Sequence, residues 1–154
     1  MSTRLMQRFG HWLGFWRGAA EFENGLKGAM QLLITPHFDG QAIEIAATSF
    51  ELDSGLTRNI GAGLLAEAAG GRIKEHLWGD RVGFVILVET PDDPDVLSLQ
   101  GEAAGGMVMS LSFQLEDDEL VFTSHVGKPG LGEDAPIRTV SRLARVGLEP
   151  PEAP

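Results

Sequence analysis

Along most of the chain apolar and polar residues alternate with a period of two, the pattern of strands with one buried and one wetted face. The clearest run interleaves Met107, Met109, Leu111, Phe113 and Leu115 with Val108, Ser110, Ser112 and Gln114. The same alternation begins at Gly14, where Trp16, Ala20 and Phe22 oppose Arg17, Glu21 and Glu23. Turn signals punctuate the runs. Asn24-Gly25 is the strongest, because a type I′ hairpin turn needs positive φ at both central residues. Met30, Leu32 and Ile34 mark the next strand, which ends near Pro36 and turns at Asp39-Gly40.

The grammar then repeats. Residues 43–48 lead to Asp53-Ser54-Gly55, residues 56–65 to Gly70-Gly71, and residues 72–78 to Gly79-Asp80. Residues 81–89 meet a loop running from Pro91 to Pro94, and residues 96–102 meet Gly105-Gly106. After the Met107 run, Glu116 to Glu119 turn the chain into residues 120–126; a glycine-rich loop at 128–134 precedes a last strand, 137–145. About ten strands at spacings of ~8–12 residues predict an all-β domain. Consecutive hairpins favour a closed up-and-down antiparallel barrel, since closure leaves no exposed edge strand.

Two segments break the alternation. Residues 2–9 read as a short helix capped by Ser2 or Thr3, with Leu5 and Phe9 on one face, Met6 beside them and Arg4 and Arg8 adjacent. It is expected to plug one end of the barrel. Residues 62–69, rich in alanine and leucine, admit a helical turn on propensity alone. Residues 1–146 are thus expected to form one barrel domain, with 147–154, which holds Pro150, Pro151 and Pro154, as a disordered tail.

Composition narrows the function classes. The 154 residues carry 12 Lys and Arg against 22 Asp and Glu, a formal net charge of −10. That field disfavours nucleic acid and anionic membrane surfaces as partners. The absence of cysteine excludes disulfides, thiolate metal sites and cysteine nucleophiles. No apolar run reaches the ~18–20 residues that span a bilayer as a helix. Arg8 and His11 interrupt any signal-peptide core, so a cytoplasmic setting is expected.

The order of short helix, Leu13-Gly14-Phe15-Trp16-Arg17-Gly18, a run of hairpins and a basic last strand resembles the lipocalin and fatty-acid-binding (calycin) superfamily. Within it the chain is most similar to the small bacterial barrels related to nitrobindin, whose ending resembles Ala135-Pro136-Ile137-Arg138 running to Arg145-Val146. The resemblance implies that Trp16 packs at the closed end against an arginine, for which Arg138, Arg142 and Arg145 are candidates. It also implies a haem-ligating histidine near the start of the last strand, where this chain has Arg138 and Thr139. Arginine stays protonated and offers no lone pair to iron, so haem is disfavoured. The glycine-rich continuation with Pro-Thr-Ile is replaced by Ala19-Ala20-Glu21-Phe22-Glu23, and the Arg-x-Tyr of animal fatty-acid-binding proteins is absent, as the chain has no tyrosine.

The histidines at 11, 37, 76 and 125 show no metal-ligand spacing, and no metal site is expected. His76 and His125 are the two that lie mid-strand among apolar neighbours. Lys74, His76 and Trp78 share one face of their strand, and Ile73, Glu75 and Leu77 the other; alternation leaves open which lines the interior. The second choice makes Glu75 a buried carboxyl with a raised pKa. Met107, Met109 and Phe113 form a polarizable apolar wall. Candidate ligand-binding residues are therefore Trp16, His76, Trp78, Met107, Met109, Phe113, His125 and Arg138. The expected function is binding of a small hydrophobic or amphipathic molecule in the barrel, in a monomer or homodimer. The alternative is an isomerase or decarboxylase acting on a small hydrophobic acid, using His76 or His125 with Glu75 nearby and Arg138 as anchor. Gly61-x-Gly63-x-x-Ala66 imitates a dinucleotide fingerprint but lacks the strand–helix–strand unit around it, and reads instead as a turn or bulge. The Glu116–Glu119 run reads as a solvated hairpin.

Overall fold

A computed structural model describes residues 3–90, 95–131 and 135–147. A short helix α1 (Arg4–Phe9) is followed by β1 (Gly14–Phe22), β2 (Lys27–His37), β3 (Ala42–Glu51), β4 (Thr57–Glu67) and β5 (Ile73–Gly79). Strands β6 (Gly83–Glu89), β7 (Val96–Glu102), β8 (Val108–Glu116), β9 (Glu119–Gly127) and β10 (Ile137–Gly147) complete the order. Each strand pairs antiparallel with its sequence neighbours, and β10 returns to β1, closing a ten-stranded barrel. The expected fold class is the observed one.

The hairpins turn where backbone chemistry permits. Asn24 and Gly25 both have positive φ, 61° and 72°, as a type I′ turn requires. Asp117 and Asp118 adopt φ of 49° and 65° without a glycine, which aspartate tolerates better than most side chains. The stretch 62–69 forms no helical turn. Its first six residues belong to β4, which pairs with β3 and β5 along both edges, so sheet hydrogen bonding overrides the helical preference of alanine and leucine. The Pro91–Pro94 loop, residues 132–134 and the tail from 148 onward lie outside the described residues, while Gly147 is the last residue of β10.

One end of the barrel is stoppered. Thr3 caps α1, its hydroxyl oxygen accepting the Met6 N–H at 3.1 Å, and Leu5 and Phe9 are buried. Arg8 pairs with Glu89, a carboxylate only 4% exposed. Behind the helix, Phe9, Trp12, Phe113 and Phe122 form a chain of rings with centroid separations of 4.9, 6.1 and 5.0 Å. Trp16 donates its indole N–H to the Trp12 carbonyl at 2.8 Å. Arg145 lies 4.4 Å from the Trp16 ring and donates to the carbonyls of His11 and Leu13. Of the three candidate arginines, Arg145 makes the closed-end contact; Arg138 is held near the other end, and Arg142 pairs with Glu116 and Glu119. On the outer wall of β4 to β6, Leu64, Trp78, Phe84 and Ile86 are exposed.

Candidate functional site

Beyond the stopper the lumen keeps a cavity of about 100 Å³. Strands β2 to β5 and β8 to β10 supply its lining, whose apolar members include Leu32, Ile45, Leu77, Met109, Leu111, Phe113 and Phe122. Three hydroxyls, from Ser49, Ser124 and Thr139, also face it. Two glycines shape the β4 side of the interior. Gly61 lines the cavity from β4, and Gly63, two residues on, faces inward beside Glu75. Any Cβ at Gly63 would sit 2.6 Å from the Glu75 carboxylate oxygen Oε2, closer than real contacts allow. The apparent dinucleotide fingerprint is therefore a stretch of strand, neither turn nor bulge, in which Gly63 clears room for Glu75.

Glu75 is the exceptional residue of the interior. Register fixes its direction: it pairs with Leu65 on β4 and Leu87 on β6, both fully buried, so all three point inward. It is 1% exposed and lines the cavity, and its Oε1 has no hydrogen-bond partner. Burial alone pushes its carboxyl up to about 7, because desolvation penalises the charged form. No neighbouring charge offsets that penalty.

The mouth is built differently. Glu23, at the end of β1, turns back over the rim and is 8% exposed, although strand alternation predicts a wetted position. Its Oε1 accepts from Arg58 and, at 2.9 Å, from Arg81, while Oε2 accepts the Arg138 backbone N–H at 3.2 Å. Burial works to raise the Glu23 carboxyl, but hydrogen bonds from its own and the Arg138 backbone, together with Arg81, hold it below the ordinary range. Arg81 also donates to Asn59 at 3.4 Å, and Asn59 donates to Ser49 at 3.0 Å, so the rim network reaches the cavity wall.

Of the eight candidate ligand residues, Met109 and Phe113 line the cavity. The other six do not. His76 and Trp78 are on the exposed outer face of β5, because the register that buries Glu75 turns its neighbours outward. His125 lies on the outward face of β9, between the buried Ser124 and Val126. Trp16 is consumed by the closed end, and Met107 immediately precedes β8, outside the lining. Arg138 points away from the lumen to pair with Glu21 at 3.3 Å. Alternation could not choose between the two faces of residues 73–78, since each carries apolar residues. The usable signal was Gly61 and Gly63 at strand spacing on the adjacent strand, beside an otherwise unexplained carboxylate.

The fold and site thus define a closed ten-stranded antiparallel barrel, stoppered at one end, with an apolar cavity into which the buried Glu75 carboxyl is built. No family model matches the chain, and none of the curated proteins is similar to it. Among solved structures, Rv2717c from M. tuberculosis has a TM-score of 0.71 at 15% identity, covering 94% of this chain and 99% of that one. The structure of EF1p2_mFAP2b bound to DFHBI has a TM-score of 0.50 at 16% identity, covering 92% and 97%. At these identities the likeness is one of fold.

Proposed function

We propose that the barrel binds a small hydrophobic or amphipathic molecule in its lumen. The observation that carries this reading is the apolar cavity, on whose wall Gly61 withholds a side chain. Protein interiors are otherwise close-packed, and an apolar void forfeits dispersion contacts unless something fills it. Its size sets a scale. A dry cavity of about 150 Å³ accommodates benzene in another protein, so about 100 Å³ suits a body of roughly one small ring. The barrel of EF1p2_mFAP2b is bound to DFHBI, which supports this architecture as a container.

The enzymatic alternative lacks its machinery. His76 and His125 face outward and Arg138 is engaged by Glu21, so no acid–base pair assembles beside Glu75 from the candidates. The nitrobindin likeness remains one of layout. Thr139, at the position where that family's ligand would fall, presents a hydroxyl to the cavity, and no histidine lines it. The residues present do not fit haem, which is also far larger than the space available. The acidic surface accords with a cytoplasmic carrier or sensor that avoids nucleic acid.

Ligand-observed and amide NMR titrations with ring-sized apolar molecules test the reading. Binding should saturate at one molecule per barrel and perturb Met109, Phe113 and Phe122, and the His76→Ala and Trp78→Ala proteins should bind equally well. A panel without saturable binding would refute the proposal.

A further inference from the structure

Glu75 has acceptor capacity that the fold leaves unused. No side chain or backbone donor reaches its Oε1, although burying an unpaired polar atom is unfavourable. The surroundings also do nothing to neutralise it. From β4 it meets Gly63 and Leu65, from β6 Leu87, and across the cavity the lining is apolar or hydroxylic. Among the described residues, the other charged side chains lining the cavity are those of Asp80 and Arg81 at the mouth, and Arg81 is engaged by Glu23. β10, which carries Thr139, is five strands from β5 in either direction around the ring, so a hydroxyl wall stands opposite the carboxyl.

We propose that the lumen selects a small apolar molecule carrying a basic nitrogen, which docks against the Glu75 carboxyl with its body among Met109, Phe113 and Leu77. This rests on the reading of the lumen as a ligand site and specifies the ligand's chemistry. A basic nitrogen satisfies Glu75 whichever atom carries the proton, as N–H⁺ to carboxylate or as nitrogen lone pair to carboxylic acid. A carbonyl ligand is served only while Glu75 remains protonated, and the hydroxyls of Ser49, Ser124 and Thr139 already offer that kind of contact. An anionic ligand meets a carboxyl with no counter-charge inside. The formal net charge of −10 further favours cations over anions at the approach. Gly63 fits the same account, because without a Cβ there the Glu75 side chain can lie against the β4 wall.

The test compares benzylamine with ethylbenzene, a neutral molecule of nearly the same shape, by NMR titration of the whole protein. At pH 8 benzylamine should bind at least ~10-fold more tightly, a difference of ~1.4 kcal/mol. Its affinity should fall about tenfold from pH 8 to pH 6 as Glu75, titrating at about 7, takes up a proton that the ammonium must displace. Glu75→Gln should erase both the preference and the pH dependence, so that benzylamine binds no better than ethylbenzene at either pH. The wild-type pH profile stands by itself if that variant folds poorly. Ethylbenzene binding as well as benzylamine, or acetophenone gaining affinity as pH falls while benzylamine does not lose it, overturns the proposal and leaves the ligand-site reading intact. Binding of neither aromatic overturns both.

Discussion

Glu75→Gln isolates the energetic consequence of a buried, unpaired carboxyl. In the folded protein this group titrates at about 7 against an ordinary 4.5, so between those values the folded state holds more protons than the unfolded state. Stability therefore declines as pH rises through that window. The residue is 1% exposed, so solvent screening does little to weaken the effect. A shift of this size corresponds to about 3 kcal/mol once pH exceeds the folded value, of which about 2–3 kcal/mol develops between pH 5 and pH 8. Glutamine keeps the shape and cannot ionise. Its buried amide carries a cost of its own, but one that does not vary with pH. Urea unfolding of both proteins at pH 5, 6, 7 and 8 gives the required difference. The variant should gain on wild type as pH rises, with most of the change between pH 5 and pH 7. Parallel stability curves would refute the argument, because they would show that Glu75 is hydrated or paired in solution.

Three further perturbations probe the surrounding structure. Gly63→Ala places a Cβ 2.6 Å from Glu75 Oε2 and should lower stability by about 1–3 kcal/mol, with much of that loss recovered in a Gly63→Ala, Glu75→Ala double variant. Denaturant midpoints of the four proteins complete the cycle. Arg145→Ala removes the stack on Trp16 and the donors to His11 and Leu13, and should cost about 1–2 kcal/mol by thermal unfolding. Arg145→Lys should recover only part of this, since an ammonium cannot reproduce the planar stack. Glu23→Gln strips the mouth of the anion between Arg58 and Arg81 and should destabilise the protein by about 2 kcal/mol at pH 7. Glu23 titrates below its ordinary value when folded, so its stabilisation is present at neutral pH and is lost as pH falls through that depressed value. The wild-type and variant unfolding curves should accordingly converge in acid.

The sequence by itself determined the wall of this protein. Period-two alternation, with Asn24-Gly25, Asp39-Gly40 and Gly105-Gly106 between runs, specifies hairpins because each signal acts over a few residues. The plug helix was legible for the same reason, through Thr3 and the Leu5–Phe9 spacing. What lies inside the wall was decided by register. Residues 73–78 carry apolar side chains on both faces, so alternation supports either direction. The choice is made only when Glu75 aligns with Leu65 and Leu87 on strands that sequence places apart. Glu23 likewise reads as a wetted strand residue until Arg58, Arg81 and the Arg138 backbone converge on it from three distant segments. A one-residue change of parity exchanges lumen and solvent along a whole strand. Thus local chemistry builds the container, whereas tertiary pairing selects Glu75 over His76 as the residue that faces its contents.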